Sequence, residues 1–265
     1  MAKASITQLH SNSLGDFSLY TMRGVEKKII RFKGGPSAAM IKKSPKFEAV
    51  RNQQSQIGGM GKLSHYLSLC CKGVKHLGDH NSAANFSKIA SLIQKMDTLG
   101  EAGKAAVMFS KFGSILNGFN FNTTNPFNSV VTPLPKFSIS REEYKGTVTF
   151  QDLYPGINLQ NTGAHPLCRF IVSIGLVPDL VYSKSGYGTA FRGFTSTQSV
   201  LRGPWLVASS KIDAFTLEAF LSERAKFDDS VSILLSVGIE FGTYISNAVI
   251  QPIKRAGCAT ILGVG

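Results

Sequence analysis

Apolar and polar side chains alternate near the start of the chain, which is the pattern of a half-buried β-strand. Residues 17–22 alternate in this way, and an apolar stretch returns at residues 28–32. Arg23-Gly24 lies between the two stretches and supplies a turn. The pattern predicts a β-hairpin within residues 6–33.

Farther along, apolar residues recur every three or four positions, as they do along one face of an amphipathic helix. Ser44 and Pro45 predict the start of a helix, because serine caps helices and proline suits the first turn. Gly58-Gly59 predicts the end of this helix. Similar spacing continues beyond it, so residues 44–117 are expected to form a helical region.

The second half of the chain carries short apolar stretches separated by loops rich in Gly, Pro and Ser. Six stretches are predicted to be strands, at residues 137–140, 147–150, 168–176, 205–209, 232–241 and 259–264. Alternation over residues 168–176 is typical of a strand that is buried on one face. The sequence therefore predicts an α+β fold. A basic hairpin and helices are expected at 1–120, and an antiparallel, sandwich-like β region at 121–265.

The stretch at residues 258–264 is expected to be a buried strand. Full burial of each large apolar side chain contributes about 1.5–3 kcal/mol, which favours a place inside a sheet. We predict an antiparallel pair with the strand that contains residues 235–241. Pro252 is expected in the connection, because proline cannot donate a hydrogen bond to a central ladder.

The net charge of +13 is unevenly distributed along the 265 residues. Residues 1–120 hold 17 Lys and Arg against 6 Asp and Glu, whereas residues 121–265 hold 12 against 10. A basic surplus attracts phosphate backbones, anionic membranes or acidic protein surfaces, and it also keeps a protein in solution. The side chains predicted to face a partner or a phosphate are Lys27, Lys28, Arg31, Lys33, Lys42, Lys43, Lys46 and Arg51.

The glycine-rich segment at residues 58–62 departs from a phosphate-binding loop at two positions. Gln56 stands where that motif has its first glycine, and Leu63 replaces the Ser or Thr that binds Mg²⁺. A helix end and hinge is the preferred interpretation of the segment.

The residues that would bind a metal or catalyse a reaction also lack a diagnostic spacing. Cys70, Cys71, His76 and His80 lie close in the sequence, but glycines interrupt the segment and the spacing matches no zinc motif. The acidic residues are scattered and show no paired carboxylates for acid–base chemistry. We therefore predict no catalytic residues, cofactor, metal or small-molecule substrate, and we expect a protein that is not an enzyme.

Cysteine usage and hydropathy bear on the location of the protein. The four cysteines show no disulfide-framework spacing, which indicates reduced thiols and a cytoplasmic protein. The first residues lack the apolar core of a secretion signal, and no apolar run of about 18 residues predicts a membrane span.

Residues 182–194 interleave aromatic side chains, cations and glycines. Such a stretch stacks on bases while its cations follow the phosphates, or it forms a loop whose aromatic rings pack on a neighbour. The sequence leaves both interpretations open.

Two stretches carry a resemblance to a group of bacterial proteins. Residues 43–51, KSPKFEAVR, followed by Gly58-Gly59, and residues 235–242, LSVGIEFG, resemble uncharacterised proteins of Bacteroidota. Those proteins have a short basic N-terminus, a helical block and a β-rich C-terminal half, so the resemblance spans most of the chain. It implies a bacterial source and a component of a large assembly, and it transfers no functional residues.

These patterns predict a non-enzymatic structural protein that assembles with itself into a homo-oligomer, such as a helical tube or filament. The predicted hairpin is able to pair with the strand edge of a neighbour, and basic residues 23–51 are able to meet an acidic surface on the next subunit. The alternative is a basic nucleic-acid-binding protein whose Lys and Arg side chains contact phosphates.

Overall fold

The chain of the computed structural model divides into two compact units, residues 1–51 and residues 52–265. The structure describes residues 13–14, 16–21, 28–98, 100–222, 227–246 and 249–265.

The first unit contains a small antiparallel sheet. Strands β1 (Ser13–Leu14), β2 (Phe17–Tyr20) and β3 (Ile29–Phe32) pair in that order. The two strands of the predicted hairpin are therefore confirmed as β2 and β3. The predicted turn at Arg23-Gly24 lies outside the described residues.

Helical structure follows the small sheet. Helix α1 (Ala38–Lys43) begins after Ser37, whose side chain accepts a hydrogen bond from a backbone N–H of the first turn. A 3₁₀ turn, Pro45–Phe47, then leads into helix α2 (Glu48–Cys70), within which the first unit ends. Ser44 precedes the 3₁₀ turn as predicted, although its side chain makes no capping hydrogen bond.

Helix α2 runs through Gly58-Gly59, so the predicted helix end and hinge at this pair is wrong. A Cβ atom at Gly59 would lie 2.9 Å from a ring carbon of Tyr187, so glycine permits close packing here. Each glycine costs a helix about 1 kcal/mol relative to alanine. Burial of the apolar face beyond the pair, which includes Leu63, outweighs that cost.

The second unit contains the remaining elements. Its other helices are α3 (Ser82–Lys95), α4 (Phe109–Phe112) and α5 (Phe127–Val130), with 3₁₀ turns at Lys75–Leu77 and Gly113–Leu116. Its strands are β4 (Lys136–Ser140), β5 (Lys145–Phe150), β6 (Leu167–Pro178), β7 (Leu180–Ser183), β8 (Gly186–Thr189), β9 (Gln198–Arg202), β10 (Leu206–Val207), β11 (Phe215–Phe220), β12 (Val231–Ser246), β13 (Val249–Pro252) and β14 (Cys258–Val264).

The antiparallel pair of β6 and β12 forms the centre of a large sheet. Its register runs from Val231 opposite Pro178 to Gly242 opposite Leu167. Strands β9 and β10 pair with the other side of β6, and β13 and β14 pair with the other side of β12. These short strands form the two edges of the sheet.

Both faces of the large sheet are buried. On one face, Phe170 and Ile233 share a core with a second antiparallel sheet of order β11-β5-β4, which we name the smaller sheet of the second unit. On the other face, Ile171 and Leu234 share a core with α2 and α3. The expectation that residues 168–176 are buried on one face only is wrong, because helices cover the second face. The α+β class and the sandwich of antiparallel sheets are confirmed.

Small residues on β6 allow the end of α2 to approach the large sheet. The Ser173 hydroxyl donates to the Cys70 carbonyl at 2.6 Å. A Cβ atom at Gly175 would lie 2.6 Å from the Cys70 sulfur, so no larger residue fits there without movement. The helix layer therefore rests directly on the backbone of β6.

The predicted strand at residues 258–264 is confirmed as β14. It pairs antiparallel with β12, with Cys258 opposite Ile239 and Val264 opposite Leu234. Every residue of β14 except Val264 is buried. Pro252 is the last residue of β13, which pairs with β12 at the edge of the sheet.

The boundary between the two units differs from the predicted boundary at residue 120. The helices of residues 52–120 bury Leu67 and Phe86 in one core with Ile261 of β14. Because these apolar faces meet the large sheet, the helices belong to the second unit, and the first unit ends at Arg51.

Candidate assembly surfaces

One face of the small sheet in the first unit is apolar. Phe17 lies opposite Phe32, and Leu19 lies opposite Ile30, so the four side chains share one face, which we name the hairpin face. The rings of Phe17 and Phe32 meet edge to face with centroids 5.0 Å apart. Leu19 is buried, but Ile30 is 64% exposed and Phe32 is 63% exposed. The hairpin face therefore presents large apolar side chains to solvent.

The opposite face of the small sheet is more polar. Ser18 lies opposite Arg31, and the Ser18 hydroxyl donates to the Arg31 carbonyl at 3.4 Å. Along β3 the side chains thus alternate, with Ile30 and Phe32 on the hairpin face and Arg31 on the other.

The predicted basic side chains in the first unit are mostly exposed. Lys42 and Lys43 lie in the last turn of α1, where cations interact favourably with the helix dipole. Lys46 lies in the 3₁₀ turn that follows. The exposed members of the predicted set are Lys28, Arg31, Lys33, Lys42, Lys43 and Lys46. Lys27 lies outside the described residues.

Arg51 has a local structural role. Its Nη1 atom donates to the carbonyl of Ile41 at 2.7 Å and to that of Ser44 at 2.8 Å. The side chain is half-buried and binds carbonyls at the end of α1. The structure therefore separates Arg51 from the exposed cations with which the sequence grouped it.

The second unit has an apolar cleft between the large sheet and the β11-β5-β4 sheet, which we name the edge cleft. It has a volume of about 640 Å³ and lies between β10, at the edge of the large sheet, and β11, at the edge of the smaller sheet. Phe170 and residues 210–214 also line it. Val207 of β10 lines the cleft and is 48% exposed.

A network of three charged side chains lies beside the edge cleft. The Lys211 ammonium lies 2.8 Å from Asp213 and 2.9 Å from Asp152. The hydrogen bonds to Asp213 and Asp152 raise the pKa of Lys211, and the same contact lowers the pKa of Asp152. Two carboxylates against one ammonium leave this rim with a net negative charge. These exposed pairs contribute little to stability.

A buried charge cluster lies elsewhere, on the helix-facing side of the large sheet. The Glu240 carboxylate accepts from Arg169 Nε at 2.7 Å and lies 3.0 Å from His76 Nε2. The Arg169 guanidinium stacks on Trp205, 4.3 Å from the ring centroid. Burial alone would raise the pKa of Glu240, but the hydrogen bonds from His76 and Arg169 outweigh it and lower that pKa. The cluster ties the 3₁₀ turn that bears His76 to the sheet.

The structure does not bring together the two cysteines and two histidines that lie close in the sequence. Cys70 and Cys71 are buried in the helix–sheet core, His76 contacts Glu240, and His80 contacts Asp79. Within the ranges that the structure describes, no three His, Cys, Asp or Glu side chains converge on one point. The prediction of no metal or cofactor stays a prediction.

Most aromatic rings of residues 182–194 are used in packing. Tyr187 is buried, and its hydroxyl donates to the Ala105 carbonyl at 2.8 Å. Phe194 packs edge to face on Tyr66, with centroids 5.4 Å apart. The sequence could not distinguish this packing from an aromatic platform, because the partners lie more than 80 residues away in the chain.

Sequence reasoning missed the edge cleft. The segments that line it include β10, β11 and the chain between them, and β11 was not predicted as a strand. The one available signal was the alternation of Phe215, Leu217 and Ala219 with polar residues.

None of the described helices is long and apolar enough to cross a membrane. No protein-family model, curated protein or solved structure matches the chain.

Proposed function

We propose that this protein is a non-enzymatic structural subunit that assembles with copies of itself through its first unit. The observation that carries the proposal is the hairpin face, on which Ile30 and Phe32 are both more than half exposed. Contiguous exposed apolar side chains mark surfaces that bind a partner. A helical tube or filament is the form of assembly that we propose.

The energy available from the hairpin face is of the size that association needs. Complete burial of a Phe or Ile side chain contributes about 1.5–3 kcal/mol. Phe17, Ile30 and Phe32 are all exposed and adjacent, so one docking event would bury the three together. Such a central apolar cluster is the usual energetic centre of a protein interface.

The test is the size of the assembled species in solution. Wild-type protein is expected to elute as an oligomer in size-exclusion chromatography with light scattering, and Ile30→Asp is expected to elute near the chain mass of 28.6 kDa. The matched control is Val249→Asp, because Val249 is 51% exposed and lies in the second unit on β13, at the edge of the large sheet opposite β10. This control is expected to elute as wild type does. A monomeric wild type, or an Ile30→Asp variant that elutes like the control, contradicts the proposal.

A second candidate function is nucleic-acid binding, which the exposed cations of the first unit favour. Arg31, Lys42, Lys43 and Lys46 are all exposed and would contact phosphates. Four phosphate contacts predict an affinity loss of about a hundredfold between 50 and 200 mM salt, through counterion release. Fluorescence anisotropy with a labelled oligonucleotide measures this loss. Absent or salt-independent binding rules this function out.

We also propose a cytoplasmic location for this subunit. Its four cysteines are unpaired and buried, which suits a reducing compartment.

A further inference from the structure

We propose that strand β3 of one copy adds to the free edge of β11 in a second copy, so that Ile30 and Phe32 enter the edge cleft of that second copy. This inference rests on the proposed self-assembly and names the docking site for it. The added strand would extend the smaller sheet from order β11-β5-β4 to four strands.

Strand β11 has one edge that pairs with no described strand. Strand β11 pairs with β5 through all six of its residues, from Phe215 opposite Phe150 to Phe220 opposite Lys145. Over the part of the chain that the structure describes, no other strand pairs with its second side. An edge strand leaves alternate backbone N–H and C=O groups open to another strand.

Strand β3 likewise has one edge that pairs with no described strand. Strand β3 pairs with β2 only and ends the order β1-β2-β3 among the described strands. Each copy therefore carries one strand edge of each kind. Strand β3 has four residues, so it can pair along the first four of the six residues of β11.

The side chains of the two edges alternate in a compatible way. In β11, Phe215 and Leu217 line the edge cleft, and Glu218 is exposed on the opposite face of the sheet. In β3, Ile30 and Phe32 share one face and Arg31 lies on the other. Successive side chains of a strand point to opposite faces of the sheet. If Ile30 and Phe32 enter the cleft, Arg31 therefore lies on the opposite face, which is the face of Glu218.

The cleft has the size and polarity to receive these side chains. Its volume of about 640 Å³ lies within the range of about 300–1,000 Å³ typical of ligand pockets, so it has room for more than one apolar side chain. Phe170 and Phe215 form its aromatic floor, with ring centroids 5.3 Å apart. Aromatic side chains of the partner would gain ring–ring contacts there.

Charge complementarity favours a second copy of this chain as the occupant. The incoming strand brings Arg31, and the receiving edge carries Glu218. The Lys145 ammonium lies 3.5 Å from Glu218 and is shared with Glu143, which it contacts at 2.8 Å. The rim of the cleft adds the net negative charge of Asp152, Asp213 and Lys211. A basic strand is thus matched to an acidic edge.

The geometry of the contact has a consequence for the assembly. The two surfaces are different parts of the chain, so the contact is head to tail, and each copy can both donate and receive a strand. A head-to-tail contact closes into a ring or continues as an open helical filament.

Disulfide formation between two singly substituted chains tests the contact. We would mix Arg31→Cys protein with Thr216→Cys protein and oxidise the mixture, because a disulfide forms only where Cα atoms approach within about 7 Å. The yield of covalent heterodimer is expected to be at least ten times the yield from a control mixture of Arg31→Cys and Thr98→Cys proteins. Thr98 is an exposed residue that follows α3, in the layer on the far side of the large sheet.

The native thiols do not interfere with this experiment. All four cysteines are buried, and burial raises the pKa of Cys71, Cys168 and Cys258 to about 12. Wild-type protein under the same oxidation gives the background, which is expected to be monomeric on a denaturing gel.

A cleft substitution gives an independent result. Val207→Arg is expected to raise the dissociation constant of the assembly at least tenfold. Val249→Arg is the matched control, because Val249 is 51% exposed and lies on β13 at the opposite edge of the large sheet. The control is expected to change the dissociation constant less than twofold.

The outcomes separate this inference from the proposed function. Wild-type assembly without the Arg31–Thr216 heterodimer, or with Val207→Arg as tightly associated as wild type, overturns the strand addition and leaves self-assembly intact. A wild type that does not assemble at all overturns both. If Val207→Arg fails to fold, the disulfide experiment alone decides.

Discussion

At the scale of single residues, Glu240 is a buried carboxylate that contacts polar side chains from two different elements. Arg169 lies opposite it on β6, and His76 reaches it from the 3₁₀ turn after α2. Its partners keep the pKa of Glu240 below the ordinary value in the folded protein. The ionised form therefore stabilises the fold.

Stability is predicted to depend on pH through this carboxylate. Because the folded pKa lies below the unfolded value of about 4.3, its contribution is complete above pH 4.3 and is lost as the pH falls through the folded value. Glu240→Gln is expected to remove this part of the pH dependence. It is also expected to lower the free energy of unfolding at pH 7 by about 1–3 kcal/mol, since Arg169 loses its buried acceptor.

Urea unfolding at pH 7 and pH 4 measures both effects. Glu142→Gln makes the same chemical change on an exposed residue and is expected to alter stability by less than about 0.5 kcal/mol. If the two variants lose equal stability, the buried ion pairs of Glu240 do not have the proposed role.

At the scale of elements, helix α2 contains two adjacent glycines with different surroundings. A Cβ atom at Gly58 would meet nothing within 4 Å, whereas one at Gly59 would lie 2.9 Å from Tyr187. Gly58→Ala is expected to stabilise the protein by about 0.5–1 kcal/mol through helix propensity. Gly59→Ala is expected to destabilise it by about 1–3 kcal/mol through overpacking.

The melting temperatures of these two variants decide between a continuous helix and a helix end. A C-terminal glycine cap holds a left-handed backbone, which alanine adopts poorly. If Gly58 formed part of such a cap, Gly58→Ala would lower the melting temperature. A rise for Gly58→Ala together with a fall for Gly59→Ala fits only the continuous helix.

Strand β14 is predicted to be indispensable to the second unit. Its backbone pairs with β12 on one side, and its carbonyls and N–H groups also bond to Gly118, Phe119 and Phe121 on the other. Removing residues 258–265 is expected to give insoluble protein, because it opens both cores. Ile261→Ala is expected to cost about 2–5 kcal/mol as a cavity. A soluble, cooperatively melting truncated chain would show that the strand is dispensable.

The sequence predicted those elements whose signal is local. The alternation in β2 and β3 and the apolar stretches of β12 and β14 are visible within ten residues, and all four were predicted. The second buried face of β6 was not, because small residues such as Ser173 and Gly175 do not look apolar in a sequence. Only their contacts with Cys70 show that a helix covers them.

At the scale of the whole molecule, the first unit carries both an excess of positive charge and an exposed apolar face. Its described acidic residues are Asp16 and Glu48, and its described cations are Lys28, Arg31, Lys33, Lys42, Lys43, Lys46 and Arg51. The cations of the candidate surface could be predicted from sequence because each is identified by residue type. The edge cleft could not, since it exists only where β10 and β11 of two different sheets face each other.

Self-association of the chain is measured by sedimentation velocity over a concentration series. Wild-type protein is expected to form species heavier than the 28.6 kDa chain, with a weight-average sedimentation coefficient that rises with concentration. Ile30→Asp is expected to abolish that rise. A single 28.6 kDa species of wild-type protein at the highest concentration reached would show that the chain does not assemble with itself.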